Sequence, residues 1–175
     1  LVAQLAHPDR SRVEAARKEL LSRPEIAIPA LFAHLADPDE KITGGSVELL
    51  IQIGPTVVGE AKRLLADPTG PPDARWRAAF IVAEVAGADA PPILARSARQ
   101  DPAPEVRKRS MELLARGKGV DHDVAIETFL AALEDGDPEV RADAAKYLEQ
   151  ESGQSHGEDA AAWRAWWEAR KREGR

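Results

Sequence analysis

The chain has 175 residues, enough for one domain with a sizeable core, and its apolar side chains are mostly alanine and leucine, with aromatics at only 5%. That set suits close-packed helices and argues against a β-sheet core, which draws on Val, Ile, Tyr and Phe. The absence of cysteine excludes disulfides and thiolate metal sites, and a net charge of −6 argues against general affinity for nucleic acid.

No apolar run approaches the ~18 residues that a membrane span needs, and no secretory pattern opens the chain. The first residue is Leu1, so a trimmed or processed start is expected, which is compatible with a lost targeting segment. The alanine- and arginine-rich composition points to a high-GC bacterium and, by default, to the cytoplasm.

Residues 1–6 read as the tail of a helix whose partner is missing, stopped at His7-Pro8-Asp9 because proline disfavours the helical conformation in the residue before it. A helix pair is expected next at 9–22 and 25–36, with Pro29 opening its second member. The punctuation then returns at Asp37-Pro38-Asp39, Asp67-Pro68-Thr69, Asp101-Pro102-Ala103 and Asp137-Pro138-Glu139, at spacings of 30, 30, 34 and 36 residues. After the prolines come apolar sets on one helical face: Ile42, Ser46, Val47, Leu50 and Ile53; Val106, Ser110, Met111 and Leu114; Val140, Ala144, Ala145 and Leu148. Gly54 and Gly87 stand where C-terminal caps are expected, and Pro55, Asp89 and Asp121 where helices open. The further pairs are therefore expected at 39–53 with 56–66, 73–86 with 89–100, 103–116 with 122–134, and 138–150 with 158–172. No pair of this size buries its apolar faces alone, so the pairs must stack.

The five copies resemble HEAT repeats, in the variant seen in phycobilisome-lyase-like bacterial proteins. Asp137-Pro138-Glu139-Val140-Arg141-Ala142-Asp143-Ala144-Ala145 carries the resemblance best, echoed by Pro104-Glu105-Val106-Arg107. It implies an all-α, right-handed α-α superhelix of about five helix pairs plus a partial N-terminal helix. Residues 1–175 would form a single array with 137–175 as its capping repeat. It also implies a polar ladder between repeats, with Asp101, Arg107, Asp137 and Arg141 at the matching positions. Thr43 and Trp76 stand where two of the ladder arginines would be.

Few residues suggest chemistry. Gly44-Gly45 inside a predicted helix points to close packing, since each glycine there costs about 1 kcal/mol relative to alanine. Asp121-His122-Asp123 has the look of a metal motif, but His7, His34 and His156 lack ligand spacing, and aspartates at a helix start act as caps. Carboxylates such as Glu134, Asp135 and Asp137, or Glu149 and Glu151, fall in turns and helix ends, without an apolar wall to shift their pKa values. There is no phosphate loop, nucleophile motif or zinc-protease motif, so neither an enzyme nor a cofactor nor a metal site is expected.

Charge is uneven. Residues 75–118 carry 9 basic and 5 acidic side chains, against 8 and 11 before them and 7 and 14 after. The expected function is a non-catalytic scaffold binding a protein partner, with an acidic surface, through its second helices. Repeat alignment places Lys62, Arg63, Arg96, Arg99, Thr128 and Ala131 on that surface, and Trp76 beside Arg75 and Arg77 is a further candidate. Two alternatives stay open. Trp76 interleaved with arginines is the pattern that stacks bases and holds phosphates, as in HEAT-like DNA glycosylases. Resemblance to the lyases implies a helper that handles a tetrapyrrole, with no residue assignable to the chromophore. Trp163, Trp166 and Trp167 share one face of the last helix and read as an atypical terminal cap.

Overall fold

A computed structural model describes residues 1–117 and 122–173 of the chain. They form ten α-helices and no strand: α1 Arg10–Ser22, α2 Pro24–Ala33, α3 Glu40–Ile53, α4 Val58–Ala66, α5 Pro72–Val85, α6 Ala90–Gln100, α7 Pro104–Arg116, α8 His122–Ala132, α9 Pro138–Ser152 and α10 Ala160–Glu173. Short 3-10 helices occupy Val2–Ala6, Pro55–Val57 and Gly87–Asp89. First and second helices alternate along the chain as the HEAT-type pattern requires, and the fold is all-α. Among the described residues no helix is long and apolar enough to cross a membrane.

The chain divides into two compact units, Leu1–Ala90 and Pro91–Arg175. In the first, Leu31, Leu35, Leu49, Leu50, Val57 and Ile81 are fully buried. In the second the same depth is reached by Val106, Met111, Phe129, Val140, Ala144, Leu148 and Trp163. Small residues, such as Ala61 and Ala78, let neighbouring helices approach closely.

Each repeat opens with the same turn. The side chains of His7, Asp37, Asp67, Asp101 and Asp135 each accept the backbone N–H two residues on, all at 2.9 Å. This sets the repeat at 30, 30, 34 and 34 residues. The fifth copy therefore starts at Asp135, with Gly136 in the place of proline, and Asp137 caps α9 by accepting from the Glu139 and Val140 amides. Asp9 and Asp39 cap α1 and α3 in the same way. Two other expectations change. Pro24 opens α2, and Pro29 lies inside it. Gly44 and Gly45 differ: a Cβ on Gly45 would stand 3.2 Å from the Leu5 side chain, while one on Gly44 would meet nothing within 4 Å. Close packing thus explains Gly45 alone. Gly54 (φ +88°) ends α3 as expected, and Gly87 (φ +53°) follows the end of α5. Asp121 lies outside the described residues.

Candidate partner-binding surfaces

A polar ladder accounts for two of the central arginines, Arg75 and Arg107. The fourth residue of a first helix reaches back to the carbonyl of the opening turn. Thr43 donates to the Asp37 oxygen (2.8 Å), Arg107 to that of Asp101 (2.8 Å) and Arg141 to that of Asp135 (2.9 Å). Arg75, almost fully buried, does the same toward Gly70. The ladder arginine of the third copy is thus Arg75, one position before Trp76, and threonine serves in the second copy.

Arg107 also spans to the next turn. Its Nε and Nη2 donate to the two carboxylate oxygens of Asp135 at 2.7 and 2.6 Å. The ladder acid is therefore Asp135 and not Asp137. Burial alone would raise the Asp135 pKa, but the Arg107 hydrogen bonds, the Asp137 amide and two nearby arginines hold its carboxyl below the ordinary value.

Arg77, Lys108, Arg109 and Arg116 are engaged as well. Arg77 donates to the Leu35 carbonyl (2.9 Å) and lies 3.7 Å from Asp73. Lys108 pairs with Glu139 (2.6 Å), Arg109 with Glu105 and Glu112, and Arg116 with Glu112 (2.8 Å). These pairs border a polar cleft of about 420 Å³ between α7 and α9, which the sequence did not foreshadow. Tyr147 lies on its wall. Burial and the neighbouring Asp143 and Glu112 push its hydroxyl up to about 12, so it stays protonated at neutral pH.

Arg96 and Arg99 are different. α6 buries Leu94, Ala95 and Ala98 and turns these two arginines outward. Arg96 Nε donates to the Gln100 side-chain oxygen at 3.2 Å, and Arg99 Nη2 to Thr128 Oγ1 at 2.9 Å. Among the described residues neither has a carboxylate partner. Thr128 is 0% exposed, and its hydroxyl donates in turn to the Val124 carbonyl at 2.7 Å. It accepts the Arg99 hydrogen bond and does not itself reach the surface. Ala131 is exposed.

Lys62, Arg63 and Trp76 stand in the first unit, whereas Arg96, Arg99 and Thr128 stand in the second. Lys62 and Arg63 are exposed on α4, and Arg63 pairs with Glu60 one turn before it. Trp76 is half-buried. Its Nε1 donates to Asp73 at 3.2 Å, and the Arg77 guanidinium lies 4.5 Å from its ring centre. One face of the indole is thereby covered by its own neighbour.

At the other end of the chain Trp163 is fully buried and donates Nε1 to the Gly157 carbonyl at 2.7 Å. Trp167 is buried beside it, and Trp166 meets Trp163 edge-on at 5.7 Å. His122 faces Glu151 at 3.0 Å, and no group of His, Asp or Glu among the described residues is arranged to hold a metal.

The HEAT repeats family model matches residues 96–163, the stretch in which the turn, cap and ladder recur most regularly. Residues 96–163 are HEAT repeats. Among solved structures, a designed armadillo repeat protein, YIII(Dq)4CqI, is similar over 89% of this chain and 82% of its own, at 18% identity and a TM-score of 0.44. No curated protein matches. Arg107 and Arg141, the ladder arginines of these HEAT repeats, both fall within the matched stretch.

Proposed function

We propose that this chain is a non-catalytic interaction scaffold whose α6 arginines, Arg96 and Arg99, receive a compact acidic patch on a protein partner. The observation that carries this reading is what the other described central cations do. Arg75, Arg77, Arg107, Lys108, Arg109 and Arg116 are committed to carbonyls and carboxylates of their own repeats. Arg96 and Arg99 are exposed and, among the described residues, lack a carboxylate, and Thr128 accepts a hydrogen bond from Arg99. Two such charges suit a small acidic patch and are too few to hold a polyanion, whose affinity grows with each phosphate neutralised.

We further read residues 1–175 as one array with 137–175 as its closing repeat. In support, α10 turns Trp163 and Trp167 inward and exposes Ala161, Arg164, Ala165, Glu168 and Arg172, a face with nothing large and apolar to cover.

The test is to isolate partners with the wild-type chain, then measure their binding to the Arg96→Glu/Arg99→Glu variant across a salt series. The reading expects recovery by the wild type, weakening with salt, and an association rate at least about tenfold slower for the variant. Unchanged affinity and on-rate would remove these arginines from the site. Tight binding of duplex DNA by the wild type at physiological salt would favour a nucleic-acid module instead.

A further inference from the structure

α7 and α9 pack side by side within the second unit, and the cleft of about 420 Å³ between them is lined mostly by polar side chains. On the α7 side the charges engage one another. Arg109 is bound to Glu105 and Glu112, Arg116 to Glu112, and Lys108 reaches across to Glu139 on α9. The α9 side is different. Asp143, Lys146, Tyr147 and Gln150 follow i, i+3, i+4, i+7 spacing and so share one face of that helix. Among the described residues Asp143 and Lys146 have no ion-pair partner, and the Tyr147 hydroxyl and the Gln150 amide have no hydrogen bond.

The Tyr147 hydroxyl stands between the two helices, since the charges that act on it come from both: Asp143 on α9, and Glu112, Arg116 and Arg109 on α7. Burial pushes its pKa up, and the two acids add to that rise more than the two arginines take away. The hydroxyl is therefore neutral at pH 7, able to accept and to donate, and its surroundings favour a positive neighbour. The Lys146 ammonium lies 6.0 Å from the centre of the same ring and brings a positive charge to this wall. Asp143 and Lys146 stand one turn apart without pairing with each other, so each keeps its charge for a ligand.

These free groups decide what the cleft fits. An apolar ligand would strip water from a mostly charged lining. A phosphate would find only one lining cation not already paired with a carboxylate, Lys146, and would be repelled by Asp143. For a metal ion, no group of His, Asp or Glu among the described residues is suitably arranged. A ligand that carries one positive and one negative group meets one free partner for each. We propose that this cleft binds a small zwitterion of amino-acid or dipeptide size, its ammonium on Asp143 and its carboxylate on Lys146. The Tyr147 oxygen accepts a further bond from the ammonium, and the Gln150 amide is left for the rest of the ligand. All four residues lie on a first helix, so the site is separate from Arg96 and Arg99 on α6.

Tyr147 is the single tyrosine of the chain, so in protein carrying ring-labelled tyrosine its nuclear magnetic resonance signals report on this cleft alone. The full chain is titrated with the common α-amino acids and a set of dipeptides, up to about 10 mM to reach weak binding, and then with the amide and N-acetyl forms of the best ligand. The expected result is a saturable shift of the Tyr147 signals. Binding should weaken at least about fivefold for the amide, which lacks the carboxylate, and for the N-acetyl form, which lacks the ammonium. Asp143→Asn and Lys146→Gln should each weaken it by a similar factor, whereas the Arg96→Glu/Arg99→Glu variant should bind as the wild type does. Lys146 is exposed and Asp143 half-buried, so both variants should keep the melting temperature of the wild type, and Lys146→Gln decides if Asp143→Asn does not fold. No saturable shift with any of these ligands, equal binding of the amide or N-acetyl form, or affinity unchanged in either folded variant would overturn the proposal.

Discussion

Replacing Asp135 by Asn keeps the shape of the side chain and removes its charge, leaving the Arg107 guanidinium without its counter-ion. The two side chains are 12% and 13% exposed and share two hydrogen bonds of 2.7 and 2.6 Å. Breaking a buried pair from one side costs about 3–5 kcal/mol. Residual solvent access and the bonds that Arg107 keeps to the Asp101 and Pro102 carbonyls lower the expectation to about 2–3 kcal/mol at pH 7. The cost must depend on pH. The Asp135 carboxyl is held below its ordinary value in the folded chain, so its contribution is present above the unfolded pKa of about 3.9 and is lost as the pH falls through the lower folded value. Urea unfolding followed by circular dichroism, at pH 7 and in steps below pH 4, should show the gap between wild type and Asp135→Asn narrowing only on the acid side. A cost under about 0.5 kcal/mol at neutral pH, or one that stays constant into acid, would refute the assignment of Asp135 as the charged half of the ladder.

Two other substitutions test the packing. Trp163→Ala and Trp167→Ala should each cost about 3–5 kcal/mol, as expected for large aromatics removed from a buried site. Phenylalanine separates the two: Trp163→Phe also loses the bond to the Gly157 carbonyl, whereas the Trp167 indole nitrogen has no partner to lose, so Trp167→Phe should be the milder change in the same urea assay. In α3, Gly44→Ala should stabilise by up to about 1 kcal/mol, and Gly45→Ala should gain clearly less because its new methyl meets Leu5. Equal melting temperatures for the two alanine variants would contradict the contact.

The sequence alone determined the class of fold and the element order. Proline in the opening turns, aspartate at the caps and apolar residues at helical spacing are local signals, each acting through backbone conformation within a few residues. For that reason the helices expected at 39–53 and 138–150 appear as Glu40–Ile53 and Pro138–Ser152. Pro29 went astray because a proline in a second helix reads as an opener until Pro24 is seen to hold that place. What tertiary structure decided was partnership. Asp135 and Asp137 are indistinguishable as letters, and only the reach of Arg107 across 28 positions chose between them. The net charge of the middle segment likewise predicted a basic patch, whereas folding spent most of those cations on the ladder and on carboxylates one turn or one repeat away. Thr128 is buried under Arg99 while Ile26 is 63% exposed, though both lie on second helices. Helical periodicity gives the faces of a helix but not which of them a neighbour covers. That depends on packing between residues distant in sequence, so the structure had to show it.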